Sequence, residues 1–419
     1  MKKRRRRIIL GLLILLICCF VGVSIAYTWK GFYPYHPPFS AAGLLSALQH
    51  EPANPDPYYR LGLFYQWDIG HFNLEKAIYY LKEAIKRNPL EPEYWLNLAK
   101  AFQKQDNYPL AEEALKMAIM VSPMSYRSRW IGGNLFLQKG DFNQAIPYFS
   151  FILKNYPSQS RPVYEVWARA GGDLHFILEK LIPDDPLSLS QFLSYLYETG
   201  DSELALKTWQ KRSSLGYQPS LPETLQLVDF LIAQRRFPEG FQIFQNLLRQ
   251  EGFPISAQNL ITNGGFEEEK FLGKGFDWRL HEGAGFIISF DRSIFYAGQK
   301  SLSITFGGKE NVHFHHVFQY VPLKPNRDYL LRAFLKTEGL TTQSGIKLEV
   351  AGINSSFHKQ SQALRGSNDW QELTISFRTP PDLQGGLIRL RRDQTEKFDR
   401  FISGKVWVDS VSLVEEGRF

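Results

Sequence analysis

Three histidines, His313, His315 and His316, and three arginines, Arg332, Arg389 and Arg391, are the side chains whose type and spacing first invite chemistry. Imidazoles two residues apart on an extended strand share a face and could share a metal. No acid close by in sequence completes a ligand set, so a structural or ligand-contacting role is expected. Arginine forks suit carboxylate and phosphate groups, which they grip bidentately. Period-two alternation places His313, His315 and Gln319 outward on one strand and Arg332 outward on a second. It places Arg389 and Arg391 outward on a third, with Lys347 and Glu349 on a neighbour. Such a face is basic and mixed rather than aromatic and suits an acidic ligand. The plainer alternative is a solvated sheet face.

The reactive constellations of common enzymes are missing. The sequence holds no phosphate-binding glycine loop, no nucleophile elbow and no His-Glu-x-x-His. Both cysteines, Cys18 and Cys19, sit in an apolar N-terminal stretch, so the rest of the chain has no thiolate for catalysis, zinc or a disulfide. Asp184-Asp185 lies in a proline-bounded loop without a placed partner. Carboxylate pairs for glycoside hydrolysis can be distant in sequence, but none stands out at strand ends. The reading is a non-enzymatic chain that requires no cofactor.

The elements that would position these residues follow from composition and period. A hydrophobic fraction of 44% with 22% charged residues excludes general disorder. The net charge is +7, and Lys2, Lys3 and Arg4 to Arg7 supply six of it, so no folded part looks like a nucleic-acid binder. Residues 8–26 carry no charge and, at about 1.5 Å each, would span close to the ~30 Å of a bilayer core. With the basic segment 1–7 held in the cytoplasm, this predicts a transmembrane signal-anchor at 8–27 and a linker at 28–39. The expected location is the inner (cytoplasmic) membrane, single-pass, with the bulk of the chain periplasmic. A leader cleaved after Ala26 is the alternative, although the stretch exceeds the usual roughly 7–15 residues of such leaders.

Ala77, Ala111 and Ala145 recur at one fixed step, as do Pro89, Pro123 and Pro157. The small residues let paired helices approach, and each proline stops the second helix of a hairpin. In this spacing residues 40–252 resemble the tetratricopeptide repeat, which implies an α-solenoid of five or six helical hairpins whose concave surface recruits a protein. Carried over, the groove positions are Tyr59, Leu63, Gln66, Leu96, Lys100, Gln103, Trp130, Asn134 and Gln138. Only Lys100 and Asn134 match the clamp with which some members hold a peptide carboxylate. The groove is therefore expected to be apolar and aromatic, unless Tyr59 and Trp130 serve packing between repeats.

After Phe253-Pro254 the helical period gives way to alternating segments such as 301–306, 329–336 and 386–391, divided by turns such as Gly307-Gly308 and Lys324-Pro325-Asn326. Asn259-Leu260-Ile261-Thr262-Asn263-Gly264-Gly265-Phe266-Glu267, then Trp278, Gly298-Gln299-Lys300-Ser301-Leu302, Trp370 and the closing Val406-Trp407-Val408-Asp409-Ser410-Val411, resemble the jelly-roll carbohydrate-binding modules of families four and nine. The resemblance covers nearly all of 258–419. It implies an antiparallel β-sandwich and core positions for Trp278 and Trp370. It also implies a structural calcium shared by Glu267 and Asp409, against the alternative of an exposed acid and a turn cap. It makes a glycan the candidate ligand of His313, His315, Gln319, Arg332, Arg389 and Arg391. Together the two resemblances suggest a membrane-anchored, non-catalytic scaffold of the bacterial envelope, accessory to exopolysaccharide or cell-surface glycan assembly. A scaffold binding only proteins, and a glycan-active enzyme or its accessory subunit, are the alternatives.

Overall fold

The structure, a computed structural model, describes residues 13–26, 40–256 and 258–417. The chain divides into two compact units, Met1–Tyr195 and Leu196–Phe419. The first is helical. Its helices are α1 (Ala41–His50), α2 (Pro55–Trp67), α3 (Leu74–Arg87), α4 (Pro92–Lys104), α5 (Tyr108–Val121), α6 (Tyr126–Gln138), α7 (Phe142–Asn155), α8 (Ser160–Arg169) and the start of α9 (Pro186–Thr199). Local chemistry sets their starts. Asn54, Asn73, Asn107, Ser125 and Asp141 each accept a backbone N–H of the first turn through the side-chain oxygen, satisfying a donor the helix cannot. The hairpin turns repeat as well. Asp106 (φ 56°) and Gly140 (φ 77°) occupy corresponding turns after α4 and α6, where the chain needs a left-handed residue.

Close helix pairing explains the small residues. A Cβ on Gly133 of α6 would stand 2.4 Å from the Phe149 ring of α7. Gly133→Ala is therefore expected to lower stability by about 1–3 kcal/mol through overpacking, read as a lower melting temperature. Ala111 and Ala145 are fully buried, as a tight seam requires.

The membrane anchor is overturned. The described part of the apolar stretch, residues 13–26, is helical and exposed. Among the described residues no helix is long and apolar enough to cross a membrane, so a single-pass inner-membrane protein is not supported. The basic segment 1–7, residues 8–12 and the linker 28–39 lie outside the described residues.

The second unit adds α10 (Ser202–Ser214), α11 (Leu221–Ala233) and α12 (Phe237–Gln250) to a β-sandwich. Glu223 closes a capping box with Ser220 at the start of α11 and pairs with Arg212 of α10, whose side chain is buried. Burial pushes the Glu223 carboxyl up, but the Ser220 N–H and hydroxyl and the Arg212 guanidinium outweigh it and hold the group down at about 2. A carboxyl depressed by folding stabilises the fold above its unfolded value of ~4.3. This contribution should fade as pH falls from about 4.5 towards 2, and Glu223→Gln should flatten that limb of a melting-temperature profile.

The strands are β1 (Arg279–Leu280), β2 (Phe286–Asp291), β3 (Ser301–Gly307), β4 (Val317–Val321), β5 (Asp328–Leu340), β6 (Lys347–Gly352), β7 (His358–Gln360), β8 (Gly366–Arg378), β9 (Gly386–Arg391) and β10 (Ser403–Glu415). They form a first sheet, β1-β4-β9-β6-β7, and a second, β2-β3-β10-β5-β8, with antiparallel pairing throughout. Inward positions such as Leu331, Ala333, Leu335, Val350, Ile388 and Leu390 fill the space between them. A helical solenoid followed by a β-sandwich is thus the architecture. Within the second unit a separate apolar cluster joins α11 and α12 to the sandwich. Leu225, Val228, Phe237 and Phe244 meet Phe276, with Tyr320 and Ile353 packed alongside.

Candidate ligand-binding faces

On the outer face of the first sheet, pairing register brings three side chains into one row: Phe318 of β4 opposite Arg389 of β9, and Arg389 opposite Glu349 of β6. Arg391 and Lys347 form the next row. The Arg389 guanidinium donates to Glu349, which also accepts from the Gln360 amide at 2.9 Å. Asp393 bridges Lys347 at 2.6 Å and Arg391 at 2.7 Å. Burial raises both acids, but the cation hydrogen bonds prevail and hold Glu349 and Asp393 below the usual carboxylate range. Neither is tuned as the protonated acid that glycoside cleavage needs.

Histidines line the rim. His315 lies 5.2 Å from His313 and 4.5 Å from His316, ring centre to ring centre. Partial burial, then Arg391 and His315, depress His313; burial, then the other imidazoles, depress His316. Both are therefore neutral at pH 7, each with one donor and one acceptor. Among the described residues no cluster of three metal-ligating side chains exists. The far end of the face is closed. Tyr320 packs against Phe237 of α12 at 6.3 Å, and a Cβ on Gly385 would collide with that same ring.

The structure corrects three placements on the sandwich. Gln319 is fully buried, and its amide exchanges two hydrogen bonds of 2.9 Å with the backbone of Thr262. The cause is a phase slip. Phe314 bridges Arg392, whereas Phe318 opposes Arg389, so one extra residue intervenes and every later side chain changes face. The slip turns Phe318 outward, giving the face the aromatic ring that simple alternation denied it. Arg332 is exposed, but it lies on β5 of the other sheet, facing away from Arg389 and Arg391, with Glu372 3.7 Å away. Trp370 is half-exposed against Tyr296 at 5.8 Å and is not a core side chain, whereas Trp278 is buried against Phe266.

Glu267 and Asp409 do converge. A Cβ on Gly265 would lie 3.6 Å from Glu267 and 3.8 Å from Asp409. Asp409 is fully buried and accepts from the N–H groups of Tyr296 (2.8 Å) and Ala297 (3.1 Å). Glu267 accepts from Gln299 and Lys300 of the same loop. No cation partners Asp409 among the described residues, and burial holds its carboxyl above the ordinary value despite those donors. A buried carboxylate beside a second one, without a counter-charge, fits a hard dication that prefers oxygen ligands.

In the first unit, Tyr59, Leu63, Lys100, Gln103, Trp130 and Asn134 are half-buried and Gln138 is exposed. Gln103 and Gln138 are hydrogen-bonded, and the Asn97 amide donates to the Tyr59 hydroxyl at 2.9 Å. Burial and Glu93 push that hydroxyl up to about 12. Lys100 is held below its usual value, first by burial and then by Arg127. Leu96 and Gln66 are corrected to the interior, since both are fully buried; the Gln66 amide donates to the Asn97 carbonyl at 3.2 Å. Glu93 and Arg127 form an ion pair of 3.2 Å in this region. Stepping Tyr59 forward by the repeat interval lands on Glu93 and then Arg127, the signal that would have found them.

Residues 258–395 match the family described as carbohydrate binding domain, and residues 72–129 match the tetratricopeptide repeat. The tRNA(Glu)-specific nuclease WapA of Bacillus subtilis subsp. natto (strain BEST195) is 28% identical over 167 residues, 38% of this chain and 7% of that protein. The human (Homo sapiens) general transcription factor 3C polypeptide 3 is 28% identical over 109 residues, 26% of this chain and 12% of that protein. The chain thus spans only a small fraction of these curated relatives. A solved structure described as "CBM4 structure and function" is 16% identical, covering 37% of this chain and 99% of its own, with a TM-score of 0.28. A crystal structure of MamA is 21% identical, covering 29% of this chain and 69% of its own, with a TM-score of 0.26. The chain carries a tetratricopeptide repeat at residues 72–129 and a carbohydrate binding domain at residues 258–395, as its alanine spacing and its opening Asn-Gly-Gly-Phe-Glu run implied.

Proposed function

We propose that this chain is a non-catalytic adaptor that holds a protein through its solenoid and a glycan through its sandwich. The two families indicate a protein-interaction and a carbohydrate-binding role. The observation that carries the glycan half is the row Phe318–Arg389–Glu349, with Arg391, Lys347, His313 and His315 beside it. A ring, two guanidinium forks and imidazoles able to donate or accept suit a sugar bearing carboxylates. On the solenoid, Tyr59, Leu63, Lys100, Gln103, Trp130, Asn134 and Gln138 are the partner-facing set. Pairing both modules in one chain suits a role in assembling exopolysaccharide or cell-surface glycans.

Affinity electrophoresis of the full chain in gels containing polygalacturonate or neutral xylan tests the glycan half. Retardation by polygalacturonate is expected, with retention roughly tenfold weaker for Arg389→Ala, as loss of one charge-assisted hydrogen bond predicts. One observation favours the protein-only reading: Arg389, Arg391 and Lys347 are already paired to Glu349 and Asp393. Unretarded migration in every gel would select it.

Glu267 and Asp409 would hold calcium as a structural ion clasping the Tyr296–Lys300 loop to the sandwich. Excess calcium at about 100 times its dissociation constant contributes about 2.7 kcal/mol, or a melting rise of roughly 5–10 °C for a unit of this size. A chelator should reverse the rise and Asp409→Asn should abolish it. Identical melts with and without calcium would remove the ion.

A further inference from the structure

A second concave surface lies inside the Leu196–Phe419 unit, away from the first sheet. Helix α12 overhangs the outer face of the second sheet and encloses a cleft of about 620 Å³, within the ~300–1,000 Å³ typical of ligand sites. Its floor is apolar, formed by half-buried Leu330 of β5 and Val414 of β10. Phe241 of α12 makes one wall, its ring fixed edge-on against Phe276 at 5.1 Å. Gln242 and Gln245, one helical turn apart, and Gln258 opposite them also line it. None of these three side-chain amides has a hydrogen-bond partner among the described residues.

We propose that this cleft binds a neutral oligosaccharide, independently of the face built around Arg389. Each free amide offers a donor and an acceptor, the complement of a hydroxyl that is also both. A fixed ring and an aliphatic floor match the C–H face of a sugar ring. A purely apolar occupant would desolvate the three amides without replacing their hydrogen bonds. The charges at the cleft balance locally, because Lys324 pairs with Glu415 at 3.4 Å and Arg332 approaches Glu372 at 3.7 Å, leaving no excess cation for an acidic ligand. An extended peptide is disfavoured by topology. β5 and β10 are inner strands of the second sheet, hydrogen-bonded on both sides, and offer no free edge for strand addition.

Titration calorimetry of the full chain with cellohexaose, xylohexaose, laminarihexaose and maltohexaose tests this. At least one is expected to bind. Gln245→Ala and Phe241→Ala should each weaken it about tenfold, as one lost hydrogen bond or ring contact predicts, while Arg389→Ala leaves it unchanged. Gln245→Trp, which fills the cleft from an accessible helix position, should abolish binding with an unaltered melting temperature, separating loss of ligand from loss of fold. Heat-silent titrations with all four sugars overturn the proposal. So does binding that survives Gln245→Trp or disappears with Arg389→Ala. Retardation by polygalacturonate is a separate readout, so the first-sheet site and the cleft stand or fall apart.

Discussion

Arg392→Ala is expected to destabilise the sandwich by about 3–5 kcal/mol, the range for stripping partners from a buried charge network, and to lower its melting temperature by roughly 6–20 °C. Arg392 is fully buried, and among the described residues no carboxylate forms an ion pair with it. Its guanidinium donates instead to Asn311 Oδ1 (2.9 Å), to the carbonyls of Val312 (2.5 Å), Ser344 (3.3 Å) and Arg400 (2.8 Å), and to Thr342 Oγ1 (3.4 Å). These acceptors belong to three loops that meet at one end of the two sheets, so a single planar fork ties them together. Alanine would leave the carbonyls buried without donors as well as opening a cavity. Arg392→Lys should recover only part of the loss, because one ammonium cannot reach all the acceptors. The adjacent Arg391 is the control. It points to the outer face and pairs with Asp393 near solvent, so Arg391→Ala should cost well under half as much. Urea unfolding curves that coincide for Arg391→Ala and Arg392→Ala would refute the tie.

That neighbouring pair shows what the sequence could and could not reveal. The alternation of Leu387 to Arg391 correctly turned Arg389 and Arg391 outward, because a regular strand changes face at every residue. Arg392 stands just past the strand end, beside the bridge to Phe314, where that rule stops. The same irregularity misled the reading of Gln319 and hid Phe318, since a one-residue slip cannot be seen in a hydropathy pattern. The helical repeat was legible for a physical reason: Ala77, Ala111 and Ala145 each sit in a seam with no room for a larger side chain. Which side chains reach the groove was less so. Leu96 and Lys100 are four residues apart on one helix, yet one is fully buried and the other half-exposed, a difference set by the rotation of α4 against its neighbours. The apolar leader looked long enough to span a bilayer when counted as residues, whereas among the described residues no helix is long and apolar enough to cross one. The cleft under α12 left no mark at all, because it forms between a helix and strands far apart in sequence.

The junction that creates the cleft yields the other large effect. Phe276 is fully buried and meets Phe237, Phe241 and Phe244 of α12 at 6.1, 5.1 and 5.8 Å. Asp229 of α11 adds a polar lock, accepting from the Gly275 N–H at 2.8 Å and from Arg279 at 2.6 Å. Phe276→Ala should therefore cost residues 196–419 about 3–5 kcal/mol, the usual loss for a core phenylalanine. A fragment beginning at residue 258 lacks α11 and α12, and in it Phe276, Tyr320 and Ile353 lose their cover. That fragment should melt below the longer one and expose enough apolar surface to bind a hydrophobic dye. The decisive comparison is the cycle between the two. If the hairpin and the sandwich fold as one unit, Phe276→Ala is severe in residues 196–419 and mild in residues 258–419, because the partners it removes are already gone. Equal losses in both fragments would mean that Phe276 serves only the sandwich, and that α11 and α12 rest on the sheet without stabilising it.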